Sequence, residues 1–371
     1  MQEHRDPRDY RYEAKPTPLG VTQTRNIKWP AVRVTMGATG GIPMTRTVFV
    51  LLLLLFSVPN YGQNSNSQER LQSAPSGSPA LHPPGGYVTV NGIRLWYESE
   101  GSGQAVVLVP AGPGVPHSYF HPHFSALAKS YRVIYYGAFG TGKSDRASGQ
   151  QTYTFARDVE NLEGLRKALG LGKIDVLGHS YGGMVAQAYA LRYPESVQKL
   201  ILADSSWGGE MSQAHRDNAL YELRNQYPET YERVMKIHRE GFHTCSKQYR
   251  DADDAPPGFL LFYDNSAFQK LIKTGEPPDS EVLCAIDGDD GDFVPGPQMA
   301  KLDFHTQLKD LKMPVLILSG RFDRGMLPRY AVQFKTYAPK AEFVMFEKSG
   351  HFPFIEEPEE FIRIVSHFLR K

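Results

Sequence analysis

The segment Gly178-His179-Ser180-Tyr181-Gly182 constrains the fold of this chain more than any other stretch. It follows a short apolar run and precedes apolar residues at helical spacing, so it is predicted to join a strand directly to a helix. Such a turn strains the backbone of its central residue and crowds the positions two before and two after it. Glycines at 178 and 182 relieve that crowding, which makes Ser180 a candidate nucleophile at the edge of a sheet.

Strand-like and helix-like patterns alternate around this segment. The best helical pattern spans residues 154–169, with apolar residues at intervals of three and four and a stop at Gly170. The strand-like runs are residues 87–90, 93–98, 105–109, 132–136, 174–177 and 199–203. This alternation predicts an α/β fold with a mostly parallel central sheet and helices on both faces.

The alternation is interrupted once, between residues 206 and 304. This segment has helix-like stretches, including one at 219–237, and few strand-like ones. We interpret residues 206–304 as an inserted helical lid between two parts of the core, 86–205 and 305–371. The strand pattern resumes at 315–318 and 343–346.

A basic start, an apolar centre and a polar exit at residues 44–62 form the pattern of a secretory signal peptide. Its apolar run, 48–58, would be about 16 Å long as a helix, whereas a bilayer core is ~30 Å thick. We therefore predict a secreted or periplasmic protein with no stable membrane span once the signal is removed. A short membrane anchor is the alternative. Residues 1–43 are then upstream sequence before a true start at Met44, or a disordered segment, and residues 63–85 form a flexible linker.

A serine nucleophile needs a base, and the base needs an orienting acid. When the serine lies at a strand-to-helix turn of an α/β fold, the acid and then the histidine follow it along the chain. Asp323 follows the strand pattern at 315–318, and His351 follows the next one. We predict Asp323 and His351 as these partners, with Asp204 as the rival acid and His179 as a packing residue.

An oxyanion hole requires backbone N–H groups that point at the developing negative charge. The N–H of Tyr181, the residue after the nucleophile, is one candidate. The second should come from the loop at 110–114, where two of the five residues are prolines without an N–H. Gly112 is predicted as this donor, with Ala111 as the other possibility.

Composition and motif spacing argue against several other functions. The formal net charge of +1 gives no electrostatic footprint for nucleic acid. Residues 137–144 match a nucleotide-binding P-loop, but the sequence after them reads as a loop instead of the helix that a phosphate site needs. The acidic stretch 287–292 fails the EF-hand spacing and reads as a solvated loop. We therefore predict no nucleotide, metal or other cofactor.

The chain contains only two cysteines, Cys245 and Cys284. An even number suits an exported protein, where a disulfide closing this loop would stabilise the fold by roughly 4 kcal/mol. Two buried thiols are equally compatible with the sequence.

Five segments resemble the proline iminopeptidase branch of the α/β-hydrolases: AGPGVPHSYF (111–120), YYGAFGTGKSD (135–145), GHSYGG (178–183), GRFD (320–323) and SGHFPFIEEPEEF (349–361). The resemblance covers residues 86–205 and 305–371 and implies the α/β-hydrolase fold. It also implies a helical lid with acidic residues that bind the free amino end of a substrate. Two segments depart from the family pattern, because the loop at 110–114 lacks the usual initial His-Gly and residues 137–139 replace Asp-Gln-Arg.

These observations together predict a serine hydrolase that forms an acyl-enzyme on a small or short-peptide substrate. An aminopeptidase or amino-acid amidase is the first choice, because acidic lid residues suit a cationic group. Those residues are Glu210, Asp251, Asp253, Asp254 and the 287–292 stretch. An esterase or lactonase with the same triad is the alternative, and a secreted ligand-binding protein on a hydrolase fold is an alternative of another class.

Overall fold

The computed structural model describes residues 82–149, 152–256 and 258–371. The predicted segments at 1–43 and 44–62, and the predicted linker up to residue 81, lie outside these residues. Within the described ranges, none of the helices combines the length and the apolar character needed to cross a bilayer.

An eight-stranded sheet organises the described part, with strand order β1-β2-β4-β3-β5-β6-β7-β8. The first two strands pair antiparallel across the Asn91-Gly92 turn, β2 also runs antiparallel to β4, and all later neighbours are parallel. The strands are β1 (Gly85–Val90), β2 (Ile93–Glu100), β3 (Ala105–Val109), β4 (Arg132–Tyr136), β5 (Ile174–His179), β6 (Val197–Ala203), β7 (Val315–Gly320) and β8 (Glu342–Phe346). The predicted α/β class with a mostly parallel sheet is confirmed.

Helices cover both faces of the sheet because alternate residues of the buried strands point to opposite sides. In β3, Val106 and Leu108 join one hydrophobic cluster, while Val107 and Val109 join another. The first cluster contains residues of α10 (Pro358–Arg370), and the second contains residues of α1 (Phe155–Ala168), α2 (Tyr181–Arg192) and α8 (Pro328–Tyr337). A short helix, α9 (Pro353–Glu356), precedes α10.

Between β6 and β7, in the segment that we call the lid, the described residues form five α-helices. They are α3 (Gly209–Gln226), α4 (Pro228–Arg239), α5 (Lys247–Ala252), α6 (Phe268–Thr274) and α7 (Ser280–Asp287). The prediction of a single helix at 219–237 is wrong. One helix ends before Tyr227, and a second helix begins with Pro228 in its first turn. Proline suits that position, since it lacks the N–H that a helix interior would need. A disulfide joins Cys245, before α5, to Cys284 in α7.

Candidate active site

Ser180 lies between β5 and α2 in the strained conformation that its neighbours predict. Its φ of 56° and ψ of −123° are rare for a residue with a side chain. A Cβ on Gly178 would lie 2.3 Å from the carbonyl oxygen of Gly182, and a Cβ on Gly182 would lie 2.2 Å from that of Val109. Both glycines are therefore required by close backbone approach, and the turn places the Ser180 side chain at the carboxyl edge of the sheet.

The predicted base and acid lie side by side beyond the ends of β7 and β8. His351 Nδ1 is 2.8 Å from Asp323 Oδ2, and both side chains are almost completely buried. The other Asp323 oxygen accepts hydrogen bonds from the N–H groups of Gly325 and Met326, each at 2.8 Å. These bonds fix the carboxylate, which holds the His351 ring so that Nε2 is free for a proton transfer. His351 and Ser180 line the same cavity.

The rival acid, Asp204, lies next to this pair but has a different environment. Its Oδ1 accepts a hydrogen bond of 2.7 Å from the Gly320 N–H, and it is not the carboxylate bonded to His351. Burial, reinforced by the charge of Asp323, raises the pKa of Asp204 well above its usual range. Asp204 therefore favours its neutral form, which suits it poorly to stabilise an imidazolium.

The structure distinguishes between the two candidate donors in the loop after β3. The Ala111 N–H donates to the Tyr119 hydroxyl oxygen at 2.8 Å and so points away from the cavity. Gly112 lines the cavity with a φ of 135°, and a Cβ there would lie 2.7 Å from the Gly114 nitrogen. Tyr181 is the first residue of α2, where an N–H has no partner within the helix. Gly112 and Tyr181 therefore remain the candidate donors to an oxyanion, and both line the cavity.

His179 has a role that the sequence did not reveal. Its Nε2 lies 2.8 Å from the carbonyl oxygen of His351, and its Nδ1 lies 3.0 Å from the Tyr119 hydroxyl. A carbonyl only accepts, so Nε2 carries the hydrogen and the Tyr119 hydroxyl donates to Nδ1. Burial lowers the pKa of His179 well below its ordinary value, which keeps the ring neutral. The prediction that His179 is only a packing residue was therefore incomplete. A buried series of hydrogen bonds runs from the Ala111 N–H through Tyr119 and His179 to the backbone carbonyl of His351.

A cavity lies beside Ser180, and Gly112, Tyr181 and His351 also line it. Core loops and the lid both contribute to its walls. The apolar lining residues are Met184, Leu260, Leu261, Leu283, Met299 and Met326, and polar ones from the lid are Ser212, His215, Arg216 and Asp287. A substrate therefore meets a mainly apolar wall with a few charged groups.

Asp287 is the only carboxylate that lines this cavity among the described residues. It is buried against Arg216, whose Nη2 lies 2.5 Å from its Oδ1. Burial raises the pKa of Asp287 to about 6, against the opposing effect of Arg216. Two other Arg216 nitrogens donate to the carbonyl oxygens of Gly291 and Ser212, at 2.6 and 2.8 Å. The site therefore contains a carboxylate that already has a cationic partner.

The prediction of a solvated acidic loop at 287–292 is wrong at both ends. Asp287 and Asp292 are 4% and 0% exposed, because the loop packs against the lid helices. The other acidic lid residues do not line the cavity: Asp251 pairs with Lys247, Asp254 pairs with Arg233, and Glu210 is exposed. Sequence composition overstated the acidity of the site because it could not say which carboxylates face inward.

The segment that resembles a P-loop has a different local structure from a phosphate-binding loop. The Ser144 hydroxyl donates to the carbonyl oxygen of Gly137 at 2.8 Å, which closes the segment on itself. The next helix in the described ranges is α1, which begins at Phe155 and not at Lys143. The helix N-terminus that a P-loop requires is therefore not at this position.

Comparison with known proteins places this geometry in a family. A model of the α/β-hydrolase fold matches residues 104–239. The proline iminopeptidase of Heyndrickxia coagulans is 30% identical over 294 residues, which are 76% of this chain and 98% of the relative. That of Clostridium botulinum is 29% identical over 75% of this chain and 94% of its own length.

Solved structures agree with the fold. A proline iminopeptidase from Mycobacterium smegmatis superposes with a TM-score of 0.63 at 22% identity, over 77% of this chain and 98% of that one. An esterase from Thermogutta terrifontis superposes with a TM-score of 0.55 at 24% identity, over 77% and 98%. At these identities the structures establish the fold and leave the substrate open.

Proposed function

The chain belongs to the proline iminopeptidase branch of the α/β-hydrolases, and on that basis we propose that it is a serine aminopeptidase or amino-acid amidase. The observation that carries the proposal is the buried His351–Asp323 pair, at 2.8 Å, beside the cavity that Ser180 also lines. A strained serine, a fixed imidazole and two free N–H groups at one site are the components of acyl transfer.

In the proposed mechanism, Ser180 Oγ attacks the substrate carbonyl carbon while its proton moves to His351 Nε2. The Gly112 and Tyr181 N–H groups stabilise the resulting oxyanion, and Asp323 stabilises the imidazolium. His351 then protonates the leaving amine as the C–N bond breaks, which leaves an ester between Ser180 and the acyl group. Water attacks this ester with His351 as base, and the acid and the free serine are released.

The lid supports a substrate with a free amine and an apolar side chain. Leu261, Leu283 and Met299 offer an apolar wall, and Asp287 offers a carboxylate that can share its charge between Arg216 and a substrate ammonium. The relatives named proline iminopeptidase, matched over almost their whole length, favour the same substrate class.

Active-site labelling followed by substrate profiling tests the proposal. A fluorophosphonate should label the wild-type protein and not Ser180→Ala, whereas Ser212→Ala, which removes another cavity serine, should still be labelled. Labelling that persists in Ser180→Ala would contradict the serine mechanism. Absence of labelling in the wild type would favour the ligand-binding alternative.

An esterase or lactonase is the second candidate, and one observation favours it. Asp287 is already paired with Arg216, so the cavity can present a largely neutral, apolar surface to an acyl group. Proline and alanine arylamides should be compared with short-chain aryl esters at equal enzyme concentration. Hydrolysis of the esters without any arylamide turnover would reject the peptidase proposal and keep the triad.

We also propose that the mature chain is exported. The disulfide between Cys245 and Cys284 supports this, since such bonds persist in oxidising compartments. N-terminal sequencing of the native protein tests this proposal. The mature chain is expected to begin shortly after residue 62. A mature protein that retains Met1 would contradict it.

A further inference from the structure

A second cluster of chemically active side chains lies at the β1-β2 side of the sheet. Glu98 on β2 is surrounded by three histidines: His82 just before β1, and His117 and His121 in the loop after β3. Glu98, His117 and His121 are 3%, 5% and 0% exposed. The proposed hydrolytic mechanism uses none of these residues.

The three imidazoles converge on a single carboxylate oxygen. His121 Nε2, His117 Nε2 and His82 Nδ1 lie 2.9, 3.4 and 3.4 Å from Glu98 Oε2. Two atoms bound to one tetrahedral zinc ion are about 3.3 Å apart, as metal–ligand distances of ~2.0–2.2 Å require. The ligand atoms of His82, Glu98 and His121 also lie within 4.8 Å of one another, which is close enough for the three residues to share one metal ion.

Protonated His117 and His121 would form ion pairs with Glu98, but hydrogen bonds of good geometry do not hold their rings in place. Among the described residues, both ring nitrogens of His117 and both of His121 lack a hydrogen-bond partner of suitable geometry, despite their near-complete burial. Leaving buried polar atoms unpaired is costly, so such atoms are normally satisfied by a partner or an ion. The unpaired nitrogens therefore point to a ligand.

The surroundings of the carboxylate also suit a metal site. The second oxygen of Glu98 accepts a hydrogen bond of 3.0 Å from Trp96 Nε1, which fixes the orientation of the carboxylate. Such outer contacts are usual for carboxylates that bind metals. The cluster borders a small cavity that Lys143 and Glu276 also line, and Lys143 lies over the Trp96 ring at 4.4 Å from its centroid.

We propose that His82, Glu98 and His121 bind a zinc ion through two imidazole nitrogens and one carboxylate oxygen, with His117 next to this set. Imidazole-rich sets favour zinc and its transition-metal neighbours, whereas calcium and magnesium prefer oxygen ligands. This proposal departs from the prediction of no metal site, which was based on motif spacing. Residues 82, 98 and 121 are too widely spaced in the sequence to form a short motif.

The proposed ion has a structural role that reaches the active site. His117 and His121 flank Tyr119, whose hydroxyl oxygen accepts the Ala111 N–H beside the oxyanion donor Gly112. An ion shared by His121 and Glu98 ties this loop to β2. Zinc is therefore expected to stabilise the folded state and the loop, without contact to the substrate.

Metal analysis of the purified full chain tests the site. After incubation with zinc chloride and extensive dialysis, one zinc per chain is expected, together with a higher melting temperature that a chelator reverses. Substitution by Co²⁺ should give the visible absorption of a tetrahedral complex. The variants His82→Ala and Glu98→Gln should weaken metal binding at least about tenfold.

Matched controls keep the proposal falsifiable. His305→Gln, which changes an exposed histidine paired with Asp303, should retain the metal. His243→Gln alters a second histidine cluster, near Asp290, and should also retain it. If Glu98→Gln does not fold, His82→Ala decides, because its side chain is 38% exposed. Failure of the wild type to retain zinc, or equal retention by His82→Ala, would overturn the proposal.

Discussion

The acid that contacts His351 in the core and two buried acids of the lid are held in different ways. In the core, Asp323 is held by His351 and by two backbone N–H groups. In the lid, both oxygens of the fully buried Asp292 and one oxygen of Asp253 lack a hydrogen-bond partner among the described residues. Asp323 is thus fixed in one orientation beside His351, whereas burial in the lid raises the pKa values of Asp253 and Asp292.

We expect the core to determine the reaction and the lid to determine which substrates are accepted. The proposed catalytic residues, Ser180, Asp323 and His351, all follow strands of one sheet, so the sheet sets their relative positions. The lid contributes part of the apolar wall, through Leu260, Leu261, Leu283 and Met299, and the Arg216–Asp287 pair. Changes in the core should therefore abolish turnover of every substrate, and changes in the lid should alter which substrates are turned over.

The largest expected effect comes from the core serine. Ser180→Ala should lower kcat by about 10⁴–10⁶-fold for amides and esters alike, because it removes the nucleophile. Steady-state assays on both substrate classes measure this loss, and a thermal melt confirms folding. A loss confined to one class would contradict a shared acyl-enzyme.

The next effect distinguishes the two core acids. Asp323→Asn should lower kcat by about 10³–10⁴-fold, because His351 loses the partner that orients its ring and stabilises its charge. Asp204→Asn should cost far less, since Asp204 is held toward its neutral form and bonds to Gly320. The comparison of the two kcat values is the measurement. A larger loss in Asp204→Asn would reverse the assignment of the acid.

A substitution in the lid should change substrate selectivity, by a smaller factor than the kcat losses of the core variants. Asp287→Asn should lower kcat/KM for arylamides with a free amine by roughly 10–100-fold, the range that loss of one charged contact gives. Ester turnover should fall much less. Asp251→Asn, on an exposed lid carboxylate, serves as the control. Equal losses on both substrate classes would mean that Asp287 only maintains the lid.

The smallest effect concerns pH and stability. Burial raises the pKa of Asp292 to about 7 and that of Asp253 to about 8, so the folded protein holds these protons more tightly than the unfolded chain. Their contribution to the free energy of unfolding is full below about pH 4 and is lost as the pH rises through 7 and 8. Denaturant titrations from pH 5 to 9 should show this decline.

The variant Asp292→Asn tests whether this carboxyl group causes the decline in stability with pH. The variant should flatten the decline and be more stable than wild type at pH 9, by roughly 1–3 kcal/mol. Asp310→Asn, outside the lid, should follow the wild-type profile. A steeper decline in Asp292→Asn would contradict a raised pKa at this position.

Local patterns were enough to predict much of the core. The two glycines around Ser180 and the strand that precedes them predicted the turn, and the order of Asp323 and His351 followed from strand ends. These signals are local because a strand or a turn is encoded within a few residues. The sequence also carried a signal for the break in the predicted lid helix, although the prediction missed it. Pro228 disfavours a helix interior and therefore indicates a helix boundary.

The sequence by itself determined the α/β architecture, the strained serine and the chain order of its partners, because each depends on short-range spacing. Tertiary structure decided which acid meets His351, that the Ala111 N–H is occupied, and which acidic lid residue faces the cavity. It also revealed the contacts of Tyr119 with His179, 60 residues apart, and of Arg216 with Asp287, 71 residues apart. Pairings of this kind leave no periodic trace in a single sequence, because only the folded chain brings their atoms within hydrogen-bonding distance.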